Sequence, residues 1–480
     1  MVCLQQHSCI EIDGCMWNGS ENQHYKELKM RMNGSRDTLS DMQAIIQWRS
    51  RAVKVFLRQN PICTYCTQFH MTMSPDISKT VTVEGKTYPR DSWTNITPTI
   101  LQKVGKNLHC KKHHPLNLIK LRINDFFYKN YFNKYRNPLF SVYDNLSPVV
   151  TLYQNYDSLL VPVDHPSRSK TDSYYINSEY MLRAHTSSHQ VDLIGTGLDA
   201  FLLYGDVYRR DAIDSSHYPA FHQVEGVRLF TKYELFDRSS STDILKLFED
   251  GQRLPTKQES HTHESSLSLE HDLKKTLENL TFHLFGKDIE VKWVDAYFPF
   301  THPSWELEIK FQGEWMEVLG CGIIEQNIMN SGGVADKVGW AFGLGLERLA
   351  MKLFNIPDIR LFWSEDSGFL SQFEVDDPYK PITYKPVSSS PQCINDISFW
   401  VKEKSFSEND FYDMVRAVGG DLVEQVHLFD TFFHPKKQLQ SQSYRIVYRH
   451  MERALSQEEV NKVHQEIAAR AVRTLHVEIR

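Results

Sequence analysis

The stretch GDVYRRDAIDSSHYPAFHQVEG, residues 205–226, decides how the centre of this chain folds. The apolar run that leads into it, from Ala200 to Tyr204, predicts a strand together with Val207 and Tyr208, and Phe221 to Phe230 predicts a second strand. Between them lies a polar loop that contains Pro219, which is typical of a turn. Two strands joined by such a loop are expected to pair as an antiparallel hairpin.

The hairpin is expected to gather polar side chains on one of its faces. Because successive side chains of a strand point to opposite faces, Arg209 and Asp211 share one face. By the same rule, Phe221, Gln223 and Glu225 share one face of the second strand. If both sets face the same way, one patch holds a cation, two carboxylates, an amide and an aromatic ring. A solvent-facing hairpin without a function could carry the same charges, so the rest of the chain has to decide.

Length and composition indicate a globular protein of two or three domains. At 480 residues the chain is too long for one hydrophobic core, and 41% hydrophobic residues suffice for ordinary folding. Its 54 basic and 60 acidic residues give a net charge of -6, which argues against a partner held mainly by bulk electrostatics, such as chromatin. A shaped RNA gripped by local basic patches remains compatible with this charge. No apolar run approaches the length of a membrane span.

The eight cysteines do not form the pattern of a disulfide framework, which favours a reducing compartment. Only Cys63 and Cys66 lie close together. They could form half of a zinc site, but no second pair of cysteines or nearby pair of histidines accompanies them. A chance pairing is therefore the favoured interpretation.

The first 73 residues are predicted to be a targeting or disordered segment. Residues 1–40 are polar and lack a pattern. Residues 42–73 contain Arg49, Arg51, Lys54 and Arg58, no acidic residue, and interleaved apolar side chains, which is typical of a mitochondrial import sequence. We therefore predict that translation starts at Met42 rather than Met1 and that the mature protein begins near residue 74. An ordinary basic surface helix is the alternative interpretation.

Apolar periodicity predicts further strands and helices around the hairpin. Residues 81–93 form a predicted strand pair, and Pro115 suits the first turn of a helix. His113 and His114, just before that helix, are interpreted as polar surface rather than metal ligands. After the hairpin, residues 251–270 are expected to be a polar linker, followed by a helix at 272–284 and strands at 288–300 and 305–323.

The segment GWAFGLGLERLAMKLF, residues 339–354, is predicted to be one helix. Its apolar stripe would be buried, while Ala341, Gly345 and Arg348 would fall on the opposite side. Glycine inside a helix costs about 0.5 to 1 kcal/mol relative to alanine, so these small residues suggest that a ligand or a sheet approaches closely. Tight helix packing without a ligand is the alternative.

The last domain is predicted to begin after a linker rich in serine and proline at 384–391. The order of its predicted elements is strand 396–401, helix 408–418, strands 422–429 and 443–448, helix 457–471 and strand 474–479. This βαββαβ order is that of ferredoxin-like domains. Because the charges of this domain nearly cancel, it would have to bind RNA through specific contacts and not through a general electrostatic attraction.

Seven motifs occur in a single order along the chain: DNLSPVVT, VDHPSR, RAHTSSHQ, GDVYRRD, FHQVEG, FPFTHPSWELEI and FGLGLERLAM. Together they resemble the class II phenylalanyl-tRNA synthetases, in particular their single-chain mitochondrial form, over about residues 81–480. The resemblance implies an α+β fold, with an antiparallel sheet flanked by helices and a C-terminal ferredoxin-like anticodon-binding domain. The expected divisions are 1–73, a catalytic domain with its N-terminal extension at 74–385, and 386–480.

The resemblance also implies an activity and its partners. Phenylalanine would attack the α-phosphate of ATP to form phenylalanyl-adenylate and pyrophosphate, and a ribose hydroxyl of tRNA(Phe) would then take the acyl group. Both reactants of the first step are anions, so catalysis would rest on positioning and charge stabilisation. Mg²⁺ is the expected cofactor. The resemblance to the single-chain form also implies a monomer, unlike the larger two-subunit relatives, that works in the mitochondrial matrix.

Site residues are carried over by position in the matching motifs. The resemblance gives Arg209 the role of holding the α-phosphate and the carboxylate, and gives Arg348 the terminal phosphate. The expected ATP-binding set is Arg209, Asp211, Ser215, Ser216, His217, Phe221, Glu308, Gly343 and Arg348, with Phe221 stacking on adenine and Glu308 facing the nucleotide and its Mg²⁺. The expected phenylalanine-binding set is His185, Thr186, Ser187, Ser188, His189, His222, Gln223, Glu225, Phe298, Phe300 and Ala341.

Two rival functions and two departures accompany this expectation. A catalytically dead paralogue should have lost Arg209, Arg348 or Glu225, and all three are present. A class II ligase for another amino acid is disfavoured by the apolar pocket expected around Ala341, although such a pocket rejects an added hydroxyl only about a hundredfold, so some misuse of tyrosine is expected. The family usually has a basic residue near Gly368, which this sequence lacks, and its absence puts one tRNA or interdomain contact in doubt. Residues 250–270 match the family poorly, which suggests a surface insertion.

Overall fold

A computed structural model describes residues 79–236, 244–387, 390–403 and 406–480. The predicted import sequence at 42–73, the proposed start at Met42 and the Cys63/Cys66 pair all lie outside the described residues. Described residues from 79 onward belong to one compact unit, Ser78–Arg480. Within them, no helix is both long enough and apolar enough to cross a membrane.

The strands of the larger part of the chain are short at its start and long around the hairpin. They are β1 (Thr80–Val83), β2 (Lys86–Pro89), β3 (Ser141–Tyr143), β4 (Val149–Thr151), β5 (Tyr180–Leu182), β6 (Ala200–Tyr208), β7 (Ala220–Phe230), β8 (Glu290–Phe298), β9 (Thr301–Phe311), β10 (Glu314–Ile324) and β11 (Val338–Gly345). The helices are α1 (Pro98–Leu101), α2 (Pro115–Asn130), α3 (Leu152–Asn155), α4 (Gln190–Gly195), α5 (Lys232–Leu235), α6 (His263–Phe285), α7 (Gln326–Ser331), α8 (Leu346–Phe354) and α9 (Ser367–Leu370).

A seven-stranded sheet in the order β3-β6-β7-β11-β10-β9-β8 holds this part together. The strand β3 runs parallel to β6, and the remaining neighbours pair antiparallel. The predicted hairpin is confirmed, because β6 pairs antiparallel with β7 and places Gly205 opposite Gln223 and Leu203 opposite Glu225. The β1–β2 strand pair and the start of α2 at Pro115 are confirmed as well.

The helix α6 begins at His263 rather than at the predicted residue 272. The Thr262 side chain caps it by accepting a hydrogen bond from the Ser265 amide at 3.2 Å. Buried leucines then follow at helical spacing from Leu269 onward, and the helix packs on β10, β11 and α2. Because the first buried side chains are the polar Ser265 and Ser266, apolar periodicity could not show where the helix starts.

The predicted surface insertion is confirmed only in part, because residues 251–256 are exposed while much of the segment after them is buried. Lys257, Gln258 and His261 are buried. The Gln258 side-chain amide donates to the carbonyl oxygens of His302 and Ile324, each at 2.9 Å. These bonds fasten the segment to the ends of β9 and β10, so it is an integral part of the fold.

Residues 339–345, predicted to begin a helix, belong to the central strand β11, and only Leu346–Phe354 are helical. Alternation along β11 explains the difference. Trp340, Phe342 and Leu344 pack into the large core under α2 and α6, whereas Ala341 and Gly343 face the other side of the sheet. The small residues therefore belong to a strand whose second face is kept open.

The prediction for His114 is also wrong, because this residue is buried instead of lying on the surface. Its ring Nδ1 accepts from the Leu116 amide at 3.2 Å and so caps α2, while its Nε2 lies 2.9 Å from the Phe362 carbonyl oxygen. Burial lowers the pKa of His114 to about 3, so the ring is neutral near pH 7.

The C-terminal part has the predicted ferredoxin-like order of elements. It consists of β12 (Cys393–Val401), α10 (Glu408–Gly419), β13 (Val423–His434), β14 (Leu439–Tyr448), α11 (Gln457–Leu475) and β15 (Glu478–Ile479). The four strands form one sheet in the order β13-β14-β12-β15. The apolar core between this sheet and its two helices includes Phe399, Phe411, Tyr444 and Ile467.

The loop between β6 and β7 is fastened to the C-terminal part. Ile213 of this loop lies in the apolar core of that part, and the Val426 amide donates to the Ile213 carbonyl oxygen at 3.0 Å. Arg416 donates to the Asp211 and Ala212 carbonyl oxygens, each at 3.0 Å. The Arg210 guanidinium lies 2.8 Å from an Asp410 carboxylate oxygen. The hairpin loop thus bridges the two parts of the chain.

Candidate active site

Two adjoining cavities open on the second face of the large sheet. One has a volume of about 850 Å³ and the other about 610 Å³. The residues that line both are Arg209, Asp211, Gln223, Glu317 and Gly343. The larger cavity is called the nucleotide lobe below and the smaller one the ring lobe. Arg209 and Gln223 therefore project to the same side of the sheet, as the hairpin pattern predicted.

Arg209 lies at the boundary of the two lobes, directly after β6. Its Nε donates to the Ala184 carbonyl oxygen at 2.8 Å, and its guanidinium carbon is 5.3 Å from the centroid of the Phe221 ring. Although Arg209 lies inside the fold, its side chain is exposed because it borders the open cavity. The other guanidinium nitrogens have no hydrogen-bond partner in the described part of the chain. They are free to bind an anion from either lobe.

A second arginine, Arg183, lies nearby in a very different state. It is fully buried, with its guanidinium packed over Gly205, where a Cβ atom would come within 2.0 Å of Nη2. Its donors are used by the Asp206 carboxylate at 2.8 Å, the Asp206 carbonyl oxygen at 2.7 Å, His189 at 3.0 Å and the Leu146 carbonyl oxygen at 3.2 Å. Arg183 lines neither lobe and is therefore not available to a ligand.

The nucleotide lobe is lined by the end of the hairpin loop. Asp214 organises this loop, since its carboxylate accepts from the Ser216 amide at 2.7 Å and from the His217 amide at 2.9 Å. The His217 ring Nδ1 lies 2.7 Å from the same carboxylate, and this hydrogen bond raises the pKa of His217. The loop thus presents two serines and a histidine that is readily protonated, and all three line the lobe.

Opposite the loop, the lobe is bounded by the start of α8 and by β11. Arg348 of α8 lies 3.2 Å from the Glu317 carboxylate and is half exposed. A Cβ atom built on Gly343 would meet nothing within 4 Å, so the space above this strand is open. The glycines of β11 therefore leave room for a flat group against the sheet, between Phe221 on β7 and Arg348.

The ring lobe ends in a buried carboxylate. Glu225 is only 2% exposed, and its Oε2 accepts from the Thr186 hydroxyl at 3.2 Å. Its Oε1 has no hydrogen-bond partner among the described residues. Burial raises the pKa of Glu225 to about 7. A buried carboxylate oxygen without a donor is an expected partner for a cationic group of a ligand.

The far end of the ring lobe is apolar. Phe298 and Phe300 stack at a centroid distance of 5.8 Å and an interplanar angle of 13°, and Ala341 lies with them in the lining. The strand predicted at 288–300 ends earlier than expected, because β8 stops at Phe298 and Phe300 lies in the turn before β9. The His185 ring lies 6.2 Å from Phe300, and burial together with Arg209 lowers its pKa to about 3. The walls around a bound ring would thus be uncharged.

Three predicted ligand-binding residues do not line either lobe. His222 is fully buried on the opposite face of β7, where its Nδ1 lies 2.7 Å from a Glu347 carboxylate oxygen. Ser188 turns away and donates to the Asn155 side-chain oxygen at 2.7 Å, and His189 contacts Arg183. These side chains support the walls of the cavity from behind.

Glu308 is a fourth misplaced residue, because it pairs with Lys292 at 2.6 Å and lines neither lobe. Its neighbour across the strands, Glu317, lines both. No group of three or more side chains placed to hold a metal ion occurs in the described ranges. Burial, followed by the charges of Glu317 and Glu308, raises the pKa of Glu306. Of these three carboxylates only Glu317 lines the lobes, so a divalent cation there would need most of its ligands from elsewhere.

Comparison with known proteins assigns both parts of the chain. The family model for tRNA synthetases class II core domain (F) matches residues 100–248 and 258–373, and the ferredoxin-fold anticodon binding domain matches residues 388–480. A mouse protein named "Phenylalanine--tRNA ligase, mitochondrial" is 60% identical over 394 residues, which cover 82% of this chain and 87% of the mouse protein. The chain belongs to the class II phenylalanine–tRNA ligase family. The predicted resemblance, fold class and enzyme class are thereby confirmed.

Further phenylalanine–tRNA ligases match over most of their length. A protein from Drosophila melanogaster, named a probable mitochondrial form, is 54% identical over 425 residues and is covered to 94%, while this chain is covered to 85%. The mitochondrial protein from Saccharomyces cerevisiae is 37% identical over 459 residues, with 95% of it and 83% of this chain covered. The relatives thus carry the mitochondrial name in animals and yeast.

Two residues of this phenylalanine–tRNA ligase site were missed by sequence reasoning. Asp214 was missed although the spacing DSSH, residues 214–217, is typical of a side chain that caps a turn. Glu317 was missed because a β-bulge lies between Glu317 and Leu319 and changes the face that each side chain takes. Strict alternation from the buried Leu319 would place Glu317 in the core. Nothing in the sequence marks the bulge.

Proposed function

We propose that the two lobes bind the two substrates of phenylalanine–tRNA ligation and that Arg209 joins their reacting ends. The observation that carries the proposal is the position of Arg209 at the boundary of the lobes, with guanidinium donors left free. Phenylalanine occupies the ring lobe and ATP the nucleotide lobe. The carboxylate of the first and the α-phosphate of the second then meet at the guanidinium.

In the first step, a phenylalanine carboxylate oxygen attacks the α-phosphorus, and the bond to the pyrophosphate oxygen breaks. Both partners are anionic, so their approach needs a fixed cation. The Arg209 fork supplies that cation and holds both groups in line. Charge that develops on the phosphorus oxygens is stabilised in the same place. The products are phenylalanyl-adenylate and pyrophosphate.

In the second step, a ribose hydroxyl at the end of tRNA(Phe) attacks the carbonyl carbon of the adenylate. The bond between that carbon and the phosphate oxygen breaks, the hydroxyl proton is lost, and AMP leaves. Glu225, with a pKa of about 7, and the Gln223 amide hold the substrate ammonium during both steps. The amino acid therefore stays in place while the nucleotide departs.

The nucleotide lobe supplies three further interactions. The Phe221 ring stacks with adenine, which is worth about 1 to 3 kcal/mol for a base on an aromatic side chain. Asp211 accepts from the adenine amino group, and Arg348 and protonated His217 hold the terminal phosphates. When the phosphates bind, Arg348 has to exchange its Glu317 partner for them, which frees the Glu317 carboxylate.

Mg²⁺ would be held at this freed Glu317 carboxylate together with oxygens of the bound phosphates. A bound Mg²⁺ supplies neutralisation of phosphate charge. Glu317 replaces Glu308 in this role, since Glu317 alone of the two lines the cavity.

Location and organisation complete the proposal. We infer that the protein is a monomer that works in the mitochondrial matrix after removal of an import sequence within residues 42–73. The catalytic domain spans 74–385 and the anticodon-binding domain 386–480. The relatives named mitochondrial and the family match at 388–480 support these inferences. Fusion of residues 42–73 to a fluorescent reporter tests the import sequence.

ATP–pyrophosphate exchange with a panel of amino acids tests the function without tRNA. We expect exchange with phenylalanine, weaker exchange with tyrosine, and a loss of about 100- to 1,000-fold in Arg209→Ala, the effect of removing one donor to a developing oxyanion. Arg209→Lys is the matched control that keeps the charge without the fork. If the wild type exchanges with another amino acid instead, the rival ligase is favoured. If it shows no exchange at all, the dead paralogue is favoured. Full activity of a folded Arg209→Ala protein would remove Arg209 from the mechanism.

A further inference from the structure

A small basic pocket lies outside the two lobes, beside the junction of the catalytic and C-terminal parts. Lys103 and Lys106 from the segment after α1, and Lys111 a few residues further on, line it together with Phe362 and Trp363. Its volume is about 200 Å³. None of the roles proposed above uses these lysines.

The three lysines differ in how firmly they are held. Lys106 and Lys111 are exposed and take part in no ion pair within the described ranges. The Lys103 ammonium is fixed 4.9 Å from the centroid of the Trp363 ring and lies 3.4 Å from an Asp421 carboxylate oxygen. One held cation and two free ones thus surround the pocket, against a single lining carboxylate, Glu365.

The charge of this region is exceptional for the chain. Between Lys79 and Arg136 the sequence has 12 basic residues and three acidic ones, Glu84, Asp91 and Asp125, whereas the whole chain has a net charge of -6. The uncharged groups at the pocket are compatible with a bound anion. The indole nitrogen of Trp363 has no acceptor among the described residues. His114 in the lining is neutral near pH 7, because burial lowers its pKa to about 3.

The size of the pocket restricts the anion. Pockets for whole small molecules have volumes of about 300 to 1,000 Å³, so 200 Å³ is too little for a nucleotide but enough for one phosphate group. The pocket also adjoins the C-terminal domain, since Lys103 reaches Asp421 and the Ser364 hydroxyl donates to Glu452 at 2.7 Å. An RNA that contacts both this domain and the catalytic cavity has phosphates available along that junction.

We propose that Lys103, Lys106 and Lys111 bind a phosphate of the tRNA backbone. The inference rests on the proposed function, because that function brings tRNA to this enzyme. Lysine ammonium groups bind a phosphate without reading a base, so the contact positions the tRNA and leaves its sequence to be read elsewhere. Each phosphate neutralised in this way makes affinity depend on salt.

The double variant Lys106→Gln with Lys111→Gln tests the proposal in the full chain. We expect the KM for tRNA(Phe) to rise about five- to tenfold at 0.1 M salt, and the slope of log affinity against log salt to fall by about 1. ATP–pyrophosphate exchange, which needs no tRNA, should stay at the wild-type rate. Lys106→Arg with Lys111→Arg should restore the affinity.

Lys275→Gln with Lys287→Gln is the matched control, since both lysines are exposed and line a different cavity, near the other end of α2. An unchanged KM and salt slope in the test variant, or equal changes in the control, would overturn the proposal. A pocket that binds only free phosphate would also overturn the proposal. In that case inorganic phosphate would stabilise the wild type but not the test variant, while both proteins would bind tRNA with equal affinity. Absence of exchange in the wild type would instead refute the proposed function.

Discussion

At the residue scale, the buried Glu225 carboxylate predicts how phenylalanine binding depends on pH. Its pKa is raised to about 7, whereas the substrate ammonium stays charged between pH 6 and 8. Only ionised Glu225 pairs well with that ammonium. The affinity for phenylalanine should therefore increase by up to about tenfold from pH 6 to pH 8. Titration of binding by intrinsic fluorescence across this range measures it.

The same pKa predicts a stability effect of opposite sign in the ligand-free protein. Folding raises the pKa of Glu225 above the ordinary glutamate value, so the folded state holds this proton more tightly than the unfolded chain. The contribution is present below pH 4.5 and is lost as the pH rises through about 7. Glu225→Gln is the control for both effects. Equal pH profiles for the variant and the wild type would show that another group titrates.

The residue scale also shows how far alternation along a strand can predict a site. It placed Phe221, Gln223 and Glu225 together, and the structure agrees. The same alternation excludes His222 from that face, yet this residue was included because it stands inside the matching motif. Ser188 and His189 were misplaced for a different reason. They lie in a short 3-10 turn, where successive side chains point in different directions.

At the scale of elements, β11 is the strand that sequence periodicity missed. The helical pattern of α8 is strong, and its apolar spacing continues backward by coincidence through Gly339 to Gly345. What makes these residues a strand is pairing with β7 and β10, to which they lie adjacent only in the fold. The inference that glycine here leaves room for a ligand nevertheless agrees with the open space above Gly343.

A branched side chain at Gly343 should block ATP without harming the fold. The backbone there is in ordinary extended conformation, and a Cβ atom would meet nothing within 4 Å. Gly343→Val should therefore fold with an unchanged melting temperature, because valine suits a strand. Its side chain would project into the nucleotide lobe, so the KM for ATP should rise at least tenfold. Exchange kinetics and thermal unfolding measure the two effects separately.

A graded series strengthens this test. Gly343→Ala should give an intermediate KM for ATP, since it adds only one carbon. Gly195→Ala, at the end of α4, is the control for a glycine with room around it away from both lobes. A Gly343→Val protein that binds ATP normally would place the nucleotide elsewhere.

At the scale of the whole molecule, the catalytic loop depends on the C-terminal domain. Ile213 is buried in that domain's core, two residues before the Ser215 that lines the nucleotide lobe. Loss of such a side chain typically costs 2 to 5 kcal/mol when it becomes alanine. Ile213→Ala should therefore loosen the loop and raise the KM for ATP roughly tenfold. The KM for phenylalanine should change much less, because only the start of this loop, Arg209 to Asp211, lines the ring lobe.

Ile394→Ala provides the comparison, since Ile394 lies in the C-terminal domain but is 52% exposed instead of buried in its core. It should leave both KM values as in the wild type. Equal rises for ATP and phenylalanine in Ile213→Ala would indicate general unfolding instead of a local effect.

The order of elements in the C-terminal domain could be predicted because each helix and strand is marked by nearby residues. The contact between Ile213 and that domain could not, since its partners lie about 200 residues away and have no local signal. The same holds for the start of α6 and for residues 257–262, most of whose polar side chains are buried by bonds to distant strands. These features depend on contacts with residues that are far away in the sequence.

Arg183 and Arg209 lie near each other, since Arg209 donates to the carbonyl oxygen of Ala184, but only Arg209 has guanidinium donors left free. All of the described donors of Arg183 serve the scaffold, down to the guanidinium that rests on Gly205. The proximity of a second arginine therefore offers no redundancy. In a protein that loses Arg209 by mutation, Arg183 therefore cannot take over its role, although both residues carry a positive charge.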